Sequence, residues 1–205
     1  MIKAYSRRQL MLEAGQPRQY LTLHWNQRVI NGNFENDNNW DAEVSTIAIS
    51  DNTCNIVKKG TRYGGFVFDT TFRTIANHIY FASLVILENN ASLVGMYAYP
   101  TSSYTGATTF AESSSYGKIT NVVKITATRR LAIRCGVAAT AVGSDCTVAK
   151  CMINDLTDMF GAGNEPSKED FLRMFPYDYY NYNSGEYIRG YIEKNGMFSV
   201  QPSHI

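Results

Sequence analysis

DLTDMFGAGNEPSKEDFLRMFPYDYYNY, residues 155–182, carries local signals that agree on one structure, two short helices in succession. Leu156, Met159 and Phe160 have the spacing of one apolar face of a helical turn. Gly161 follows them, and glycine readily takes the positive φ angle that ends a helix. The first half of this segment therefore predicts a single helical turn with one buried side.

The second half of the segment predicts another helix, which begins after Pro166. Ser167 is a good N-cap, and Asp170 stands at the third position of a capping box. Phe171 and the residues one turn later supply the apolar side, and Pro176 ends the helix. Because a helix of about two turns is marginal in water, its aromatic residues must dock on a larger body. We therefore predict a helical latch on an upstream fold, not an active site.

Residues 155–186 resemble the C-terminal segment of a family of bacteriophage virion proteins that includes tail-fibre, tail-tip and head-decoration components. The similarity runs through the motifs GAGNEP, MFP and DYY, and Asn181 stands where the family pattern has a proline. In that family the segment closes a jelly-roll β-sandwich like those of carbohydrate-binding modules. The resemblance implies a structural or adhesive role in a virion and no catalytic residues.

A second resemblance lies upstream, in NGNFENDNNW at residues 31–40. This stretch is similar to the first strand of jelly-roll carbohydrate-binding modules, where N-G-x-F-E precedes a turn and a tryptophan. Asn36 replaces the usual glycine. Glu35 and Asp37 stand where such modules often bind a structural calcium through oxygen ligands. A plain turn is the alternative interpretation of these two acids.

The chain between the two motifs alternates strand-like runs with turn-like clusters. The runs are rich in β-branched and aromatic residues, and Asn, Asp, Gly and Ser separate them. Eight strands are predicted, at residues 44–49, 54–57, 63–69, 78–87, 93–99, 119–128, 131–137 and 146–153. The fold class is therefore predicted as all-β, a jelly-roll β-sandwich with a short C-terminal helical latch. Residues 101–116 are predicted as a long polar loop.

Three parts of the chain are predicted: an N-terminal arm or attachment segment at 1–30, the sandwich with its latch at 31–185, and a C-terminal hairpin at 186–205. The hairpin turn falls at Asn195-Gly196. The arm has five basic residues and one acid, so the remainder has a net charge of −3. Arg7, Arg8 and Arg18 are the candidate attachment residues for an acidic surface. A solvated basic tail is the alternative.

Composition excludes several classes of protein. The 19 basic and 18 acidic residues indicate no preference for nucleic acid. No apolar run is long enough to span a membrane or to act as a signal peptide, which predicts assembly in the cytoplasm of a host bacterium. Four cysteines, whose spacing matches no zinc or redox motif, are predicted to be buried free thiols: Cys54, Cys135, Cys146 and Cys151.

Catalytic motifs are not found in the sequence. His24, His78 and His204 each stand alone, and a surface or turn role is predicted for His78. The acid pairs Asp155/Asp158 and Glu169/Asp170 fall in the latch, where helix capping explains them. We therefore predict a protein that is not an enzyme and needs no cofactor beyond the calcium named above. A polysaccharide hydrolase would need two carboxylates across a cleft, which sequence alone does not reveal.

Aromatic residues are the strongest indication of binding, since the chain has 14 tyrosines. Rings with polar tips suit both sugars and protein interfaces. Tyr97, Tyr99 and Tyr104 end a predicted strand and enter the long loop, so they are the candidate glycan-binding residues. The alternative is that Tyr97 and Tyr99 are neighbours on one face of a strand and pack in the core.

The sequence and the resemblance together predict a structural component of a bacteriophage virion, either a head decoration or fibre protein or a tail protein. It would display its carbohydrate-binding-like sandwich for adhesion to the host surface. A homo-oligomer is expected, most simply a trimer, with other virion proteins and a host glycan as partners and no nucleic acid or membrane. The alternatives are a glycan-binding module without a role in assembly and a polysaccharide hydrolase.

Overall fold

The structure is a computed structural model that describes residues 20–61, 63–103, 105–175, 187–192 and 198–200, with the backbone alone for 20–24, 187–192 and 198–200. Its strands are β1 Tyr20–His24, β2 Trp40–Glu43, β3 Ser45–Ser50, β4 Thr53–Lys58, β5 Gly65–Asp69, β6 His78–Asn89, β7 Val94–Tyr99, β8 Thr108–Ser113, β9 Gly117–Ile125, β10 Arg130–Cys135, β11 Asp145–Asp155, β12 Tyr187–Ile192 and β13 Phe198–Val200. Its helices are α1 Leu156–Phe160 and α2 Lys168–Met174.

Two five-stranded antiparallel sheets form a sandwich. The front sheet has the strand order β2-β5-β10-β7-β8, and the back sheet has the order β3-β4-β11-β6-β9. Alternate residues of the strands point between the sheets, so that Val67, Met96 and Ile133 of the front sheet share one buried cluster with Leu84 and Val148 of the back sheet. The predicted all-β sandwich with small C-terminal helices is therefore confirmed.

Between β2 and β3, the chain crosses from the front sheet to the back sheet within one residue, Val44. Val44 has a φ angle of 57°, which is unusual for a β-branched side chain. Its carbonyl oxygen accepts hydrogen bonds from the backbone N–H groups of Lys59 at 2.9 Å and Gly60 at 3.3 Å. These two bonds hold the corner that joins the sheets.

Residues 26–32 complete the back sheet beside the second half of β11. The first half of β11 pairs with β4 only as far as Val148. Beyond that point the N–H of Arg28 donates to the carbonyl of Ile153 at 2.8 Å, and the N–H of Cys151 donates to that of Gly32 at 2.7 Å. The last residues of the predicted arm therefore pair with the sandwich, while the predicted domain boundaries stay predictions.

A third, small sheet has the order β1-β12-β13 and joins the two ends of the described chain. β1 pairs with β12 in antiparallel register, from Tyr20 opposite Tyr191 to His24 opposite Tyr187. β12 pairs with β13 in antiparallel register, and the predicted C-terminal hairpin at 186–205 stays a prediction. Its predicted turn at Asn195-Gly196 lies outside the described residues.

The latch consists of α1, α2 and the turn between them, and it covers the outward side of the back sheet. The Asp158 N–H donates to the carboxylate of Asp155, and the Asp170 N–H donates to Ser167 Oγ at 3.1 Å. Both predicted helices and the Ser167 cap are thereby confirmed. A second buried cluster joins latch and sheet, with members Trp25, Phe81, Met152, Leu156, Met159, Phe171, Met174 and Phe175.

All eight predicted strands overlap strands of the structure, but two strands of the sandwich were not predicted, β2 and β8. The prediction of a polar loop over residues 101–116 is wrong, because β8 lies inside it and Phe110 is fully buried. β8 is an edge strand, and the serine and threonine residues of its exposed side have the composition of a polar loop. The composition of residues 101–116 therefore did not distinguish a strand from a loop. The prediction of four buried free thiols is confirmed.

The aromatic contacts of Phe171 lead to the first testable prediction. Its ring centroid lies 4.4 Å from that of Phe81 and 4.8 Å from that of Phe175, and its side chain is fully buried. Phe171→Ala should lower the free energy of unfolding by about 3–5 kcal/mol, because it leaves a cavity at the centre of the second cluster. Urea denaturation measures this change. Leu172→Ala, on the half-buried side of the same helix, is the control and should cost clearly less; equal costs would contradict the packing described.

Candidate functional site

The side of the front sheet that faces away from the sandwich core carries an aromatic cluster. Phe66 and Phe68 come from β5, and Tyr97 and Tyr99 come from β7. Each of these side chains is at most 3% exposed. In a two-layer sandwich this side of an antiparallel sheet usually meets water and is polar. The front sheet therefore buries both of its faces.

The sequence places these rings together through the two-residue period of the strands. Phe68 pairs across β10 with Ala132, and Ala132 pairs with Tyr97. Arg134 lies opposite Phe66 in the same way. Small Ala132 thus separates two rows of rings, one on each side of the central strand. We call this surface, formed by Phe66, Phe68, Tyr97, Tyr99, Arg130, Ala132 and Arg134, the aromatic face.

Two arginines of β10 lie flat on the aromatic rings. The guanidinium carbon of Arg130 is 3.7 Å from the ring centroid of Phe68, and that of Arg134 is 4.0 Å from the centroid of Tyr97. Such stacking is attractive because the ring face carries partial negative charge. Each guanidinium also covers the ring beneath it, which explains part of the burial of Phe68 and Tyr97.

Hydrogen bonds link the same arginines to polar groups at the edges of the sheet. Arg134 Nη2 donates to the Tyr97 hydroxyl at 2.7 Å, and that hydroxyl donates to the carboxylate of Glu112. Burial, followed by the hydrogen bond to Glu112, raises the pKa of Tyr97. Arg130 Nη1 donates to Glu43 Oε1 at 3.3 Å. The face therefore pairs each guanidinium with a carboxylate, directly for Arg130 and through a hydroxyl for Arg134.

Two glycines make room for this network. A Cβ atom on Gly64 would lie 2.8 Å from Cγ of Arg134, and one on Gly95 would lie 2.7 Å from Cβ of Glu112. Such a Cβ would also lie 2.4 Å from the carbonyl oxygen of Gly136 or 2.5 Å from that of Ala111, so a larger residue at either position would displace backbone as well as the polar side chain. The glycines thus keep Arg134 flat on its ring and Glu112 within reach of Tyr97.

The chemistry of the aromatic face suits binding better than bond cleavage. Ligand sites combine apolar and aromatic walls with a few placed polar groups, as this face does. Its two glutamates lie on the two edge strands, Glu43 on β2 and Glu112 on β8, four strand spacings apart. At ~4.8 Å per spacing they are about 19 Å apart, whereas glycosidase carboxylates lie about 5–9.5 Å apart. The prediction that the chain is not an enzyme stays a prediction.

The predicted glycan-binding residues are partly brought together. Tyr97 and Tyr99 are neighbours with ring centroids 6.0 Å apart, and they lie on the aromatic face, outside the core between the two sheets. Tyr104 lies outside the described residues, and the glycan platform stays a prediction. Sequence reasoning missed Phe66, Phe68 and both arginines. Aromatic residues at alternate positions of GFVFD and the two arginines four positions apart in RLAIR, on the same face of a strand, were the available signal.

The predicted calcium ligands, Glu35 and Asp37, lie in an exposed loop that Asn31 organises. Asn31 Nδ2 donates to the carbonyls of Asn36 at 2.7 Å and Asn38 at 3.0 Å. The loop oxygens thus already bind an amide, which a cation would have to displace. Among the described residues, no group of three or more His, Cys, Asp or Glu side chains could hold a metal ion. These residues thus give no direct support for a calcium site, and bound calcium stays a prediction.

The other candidate residues divide between the latch and the part of the chain that the structure does not describe. Nδ1 of His78 lies 2.9 Å from both carboxylate oxygens of the fully buried Asp155, which also caps α1. Thr157 Oγ1 accepts from the N–H of Ile79 at 2.9 Å and donates to Glu165 at 2.7 Å. The DLT motif therefore fastens the latch to β6, and Glu165 of the GAGNEP motif ties the turn after α1 to Thr157. The predicted attachment residues Arg7, Arg8 and Arg18 lie outside the described residues.

Comparisons with known proteins give similar solved structures but no identity. No family model and no curated protein matches the chain. Among solved structures, a family 29 carbohydrate-binding module from Piromyces equi has 10% identity and a TM-score of 0.41, with 75% of this chain and 94% of the module covered. A structure described as a family 4 carbohydrate-binding module has 8% identity and a TM-score of 0.44, covering 62% and 98%.

A third solved structure, a family 29 module mutant complexed with cellulohexaose, has 9% identity and a TM-score of 0.41, covering 67% of this chain and 90% of the module. All three are carbohydrate-binding modules. Because these TM-scores are below 0.5, the similarities carry no argument about a ligand of this chain. Among its described helices, none is long and apolar enough to cross a membrane.

Glu165 leads to a prediction about pH. Burial alone would raise its pKa, but hydrogen bonds from Thr157 and the N–H of Gly163, with the nearby His78, outweigh burial and lower the pKa below 4.5. A lowered pKa stabilises the fold above the unfolded value, and this stabilisation is lost as pH falls through the folded value. Glu165→Gln should therefore flatten the loss of stability between about pH 5 and about pH 3.

Chemical denaturation across that pH range measures the effect. The control is Glu169→Gln, because Glu169 is exposed on α2 and only contacts Lys168 at 3.5 Å. The control should keep the pH dependence of the wild-type protein, since an exposed pair contributes little. If both variants show the same profile as the wild-type protein, Glu165 does not fasten the latch in solution.

Proposed function

We propose that this chain is a carbohydrate-binding module without catalytic activity and that a glycan binds at the aromatic face. The observation that carries the proposal is the composition of that face, four aromatic rings and two arginines where a two-layer sandwich usually presents polar side chains to water. A sugar ring offers both apolar C–H groups and hydroxyls. The planar guanidinium groups that cover the buried rings can contact the first, and charged hydrogen-bonding groups can contact the second.

The outermost groups of the aromatic face decide how a sugar would approach. Because guanidinium groups cover Phe68 and Tyr97, the atoms that a ligand meets first are polar. Glu112 is exposed, Arg134 is half-buried, and the Tyr97 hydroxyl joins them. This arrangement sets one acceptor beside one donor, which is the pattern that two adjacent sugar hydroxyls can satisfy together. We therefore place the sugar contact at the Glu112 side of the face.

Tyr97→Phe and Glu112→Gln test the proposal most sharply. Tyr97→Phe removes only the hydroxyl that joins Arg134 to Glu112, and Glu112→Gln removes only a charge. Each variant should weaken binding to an oligosaccharide found on a glycan array by about tenfold, because a hydrogen bond to a charged group contributes about 1.5–3 kcal/mol. Isothermal titration calorimetry measures the affinities, and Tyr104→Ala tests the third predicted residue in the same assay.

Glu88→Gln is the matched control for Glu112→Gln. Glu88 is exposed on β6 of the back sheet and accepts one hydrogen bond, from Thr147 Oγ1 at 3.2 Å. Its variant should bind the oligosaccharide as the wild-type protein does. Equal affinity of all variants for the sugar would move the site away from the aromatic face. A protein that binds no glycan on the array would contradict the proposed function itself.

As a second function we propose that the chain is a subunit of a bacteriophage virion that displays this module. The support is the resemblance of residues 155–186 to virion proteins. Deleting residues 1–30 would not be a clean test of the arm. The deletion would remove Trp25 from the buried cluster between latch and back sheet, and it would remove residues 26–30, which pair with β11. A test of the arm must therefore keep the full chain.

Native mass by light scattering tests the virion subunit. We expect a homo-oligomer, most simply a trimer, for the wild-type protein. The variant Arg7→Gln, Arg8→Gln and Arg18→Gln loses three positive charges of the arm. If these charges hold the arm on an acidic surface of a neighbouring subunit, the native mass of the variant should be lower than that of the wild-type protein. The control is Lys59→Gln, Lys118→Gln and Lys124→Gln together, which removes three positive charges from exposed positions of the sandwich. A monomeric wild-type protein would contradict self-assembly through the arm.

A further inference from the structure

Three arginines meet at the loop between β5 and β6, at one end of the sandwich. Arg28 Nη2 donates to the carbonyl of Arg73 at 3.2 Å, and Arg73 Nη1 donates to the carbonyl of Phe72 at 2.6 Å. The backbone of Arg129 lies against the same loop, since its N–H donates to Thr74 Oγ1 at 2.8 Å. We call Arg28, Arg73 and Arg129 the basic cluster.

Backbone carbonyls are the hydrogen-bond partners of these guanidinium groups. Arg129 Nη1 donates to the carbonyl of Gly106 at 3.2 Å, and Arg73 has a second carbonyl contact, with Thr70 at 3.4 Å. In the part of the chain that the structure describes, no carboxylate forms an ion pair with any of the three arginines. The guanidinium groups of Arg28 and Arg73 thus lie at residues 70–73, and that of Arg129 lies at Gly106, each without a described carboxylate as its partner.

Two acids near the basic cluster are buried and engaged elsewhere. Asp69 is buried and accepts hydrogen bonds at Oδ1 from Thr71 and from the N–H of Phe72 at 2.9 Å. Burial raises the pKa of Asp69, although the charge of Arg73 opposes that effect. Asp155 is also fully buried and contacts His78. Neither carboxylate reaches the surface on which the arginines lie.

The basic cluster has donors left for a ligand. An arginine side chain has five N–H donors, and the carbonyl contacts above occupy one or two on each residue. Arg73 is exposed, Arg28 and Arg129 are half-buried, and Thr70 and Thr71 beside them are exposed. Holding like charges near each other is unfavourable, and an anion bound between them would relieve the repulsion. Planar guanidinium groups bind carboxylate, sulfate and phosphate groups through paired hydrogen bonds.

The position of the cluster indicates which anion-bearing partner fits. Arg129 directly precedes Arg130, whose guanidinium covers Phe68 on the aromatic face. Thr70 directly follows β5, the strand that carries Phe68. The basic cluster therefore adjoins one end of the face proposed to bind sugar. Nucleic acid fits less well, because the whole chain has a net charge of only +1 and lacks the broad positive field that phosphate backbones require.

We propose that the basic cluster binds the acidic groups of a polysaccharide, either carboxylates or sulfate esters. The proposal rests in part on the proposed glycan-binding function, and it adds a second site that selects charged polymers. A chain of sugars that extends beyond the aromatic face would bring its acidic substituents to Arg73 and Arg129. Such a polymer would bind more tightly than its neutral counterpart, and salt would weaken only the difference between the two.

The experiment compares ligands that differ only in charge. Affinities of the full chain are measured by calorimetry for polygalacturonate, for its fully methyl-esterified and therefore neutral form, for a sulfated polysaccharide, and for duplex DNA. The test variant is Arg73→Gln with Arg129→Gln, and the control is Lys59→Gln with Lys124→Gln, which removes the same charge from exposed positions elsewhere. Thermal denaturation confirms that both variants are folded.

We expect the arginine variant to bind at least one acidic polysaccharide about tenfold more weakly than the wild-type protein and the control variant do. The neutral ester should bind both variants equally. Equal losses in the two variants, or equal affinity of the wild-type protein for the acidic and esterified forms, would overturn the proposal. So would absence of binding to both acidic polysaccharides. DNA binding of equal strength that the arginine variant also loses would overturn the assignment to polysaccharide.

The same measurements separate this proposal from the glycan site. Glu112→Gln should weaken binding of a sugar whether or not it is charged, whereas the arginine variant should weaken binding of acidic polymers alone. If Glu112→Gln has no effect while the arginine variant loses acidic polymers, the basic cluster stands and the aromatic face fails. The reverse result retains the aromatic face and rejects the basic cluster.

Discussion

Both sheets of this sandwich bury residues on their outward sides as well as between them, and the rest of the structure depends on that constraint. A sheet with two apolar faces needs cover on each. On the back sheet the cover is the latch, whose Phe171 and Met174 pack on Phe81 and Met152. On the front sheet part of the cover is supplied by the guanidinium groups of Arg130 and Arg134. One sheet is closed by apolar packing and the other partly by charged groups.

This difference separates structure from function along the chain. The motifs that bear the resemblance to virion proteins are used to fasten the latch. Asp155 and Thr157 make hydrogen bonds that join the start of α1 to β6, and Glu165 joins the following turn to Thr157. The groups of the aromatic face lie on the opposite sheet. A substitution in the aromatic face can therefore change which ligand binds without disturbing the contacts that hold the latch.

The two-residue period of the strands made the fold predictable. Which side of each sheet faces the core was not predictable. β-branched and aromatic runs placed eight strands, and the Ser167 cap placed the second latch helix. Alternation in β7 correctly made Tyr97 and Tyr99 neighbours on one face, but a single strand does not reveal whether that face is inside or outside the sandwich. That depends on Ala132 and Arg130 of β10, more than thirty residues away. The basic cluster was hidden in the same way, because Arg28, Arg73 and Arg129 are distant in sequence.

The pairing of β1 with β12 has a consequence for how the chain reaches its final state. Tyr20 lies opposite Tyr191, so this ladder joins residues that are far apart in sequence, and contacts of that kind form late. At a synthesis rate of about 5–20 residues per second, β12 leaves the ribosome on the order of 10–30 s after β1. During that interval the backbone groups of β1 have no strand from β12 to pair with, and an unpaired strand is a template for another chain. Exchange of this strand between two copies, a form of domain swapping, is therefore a route by which newly made chains would misassemble.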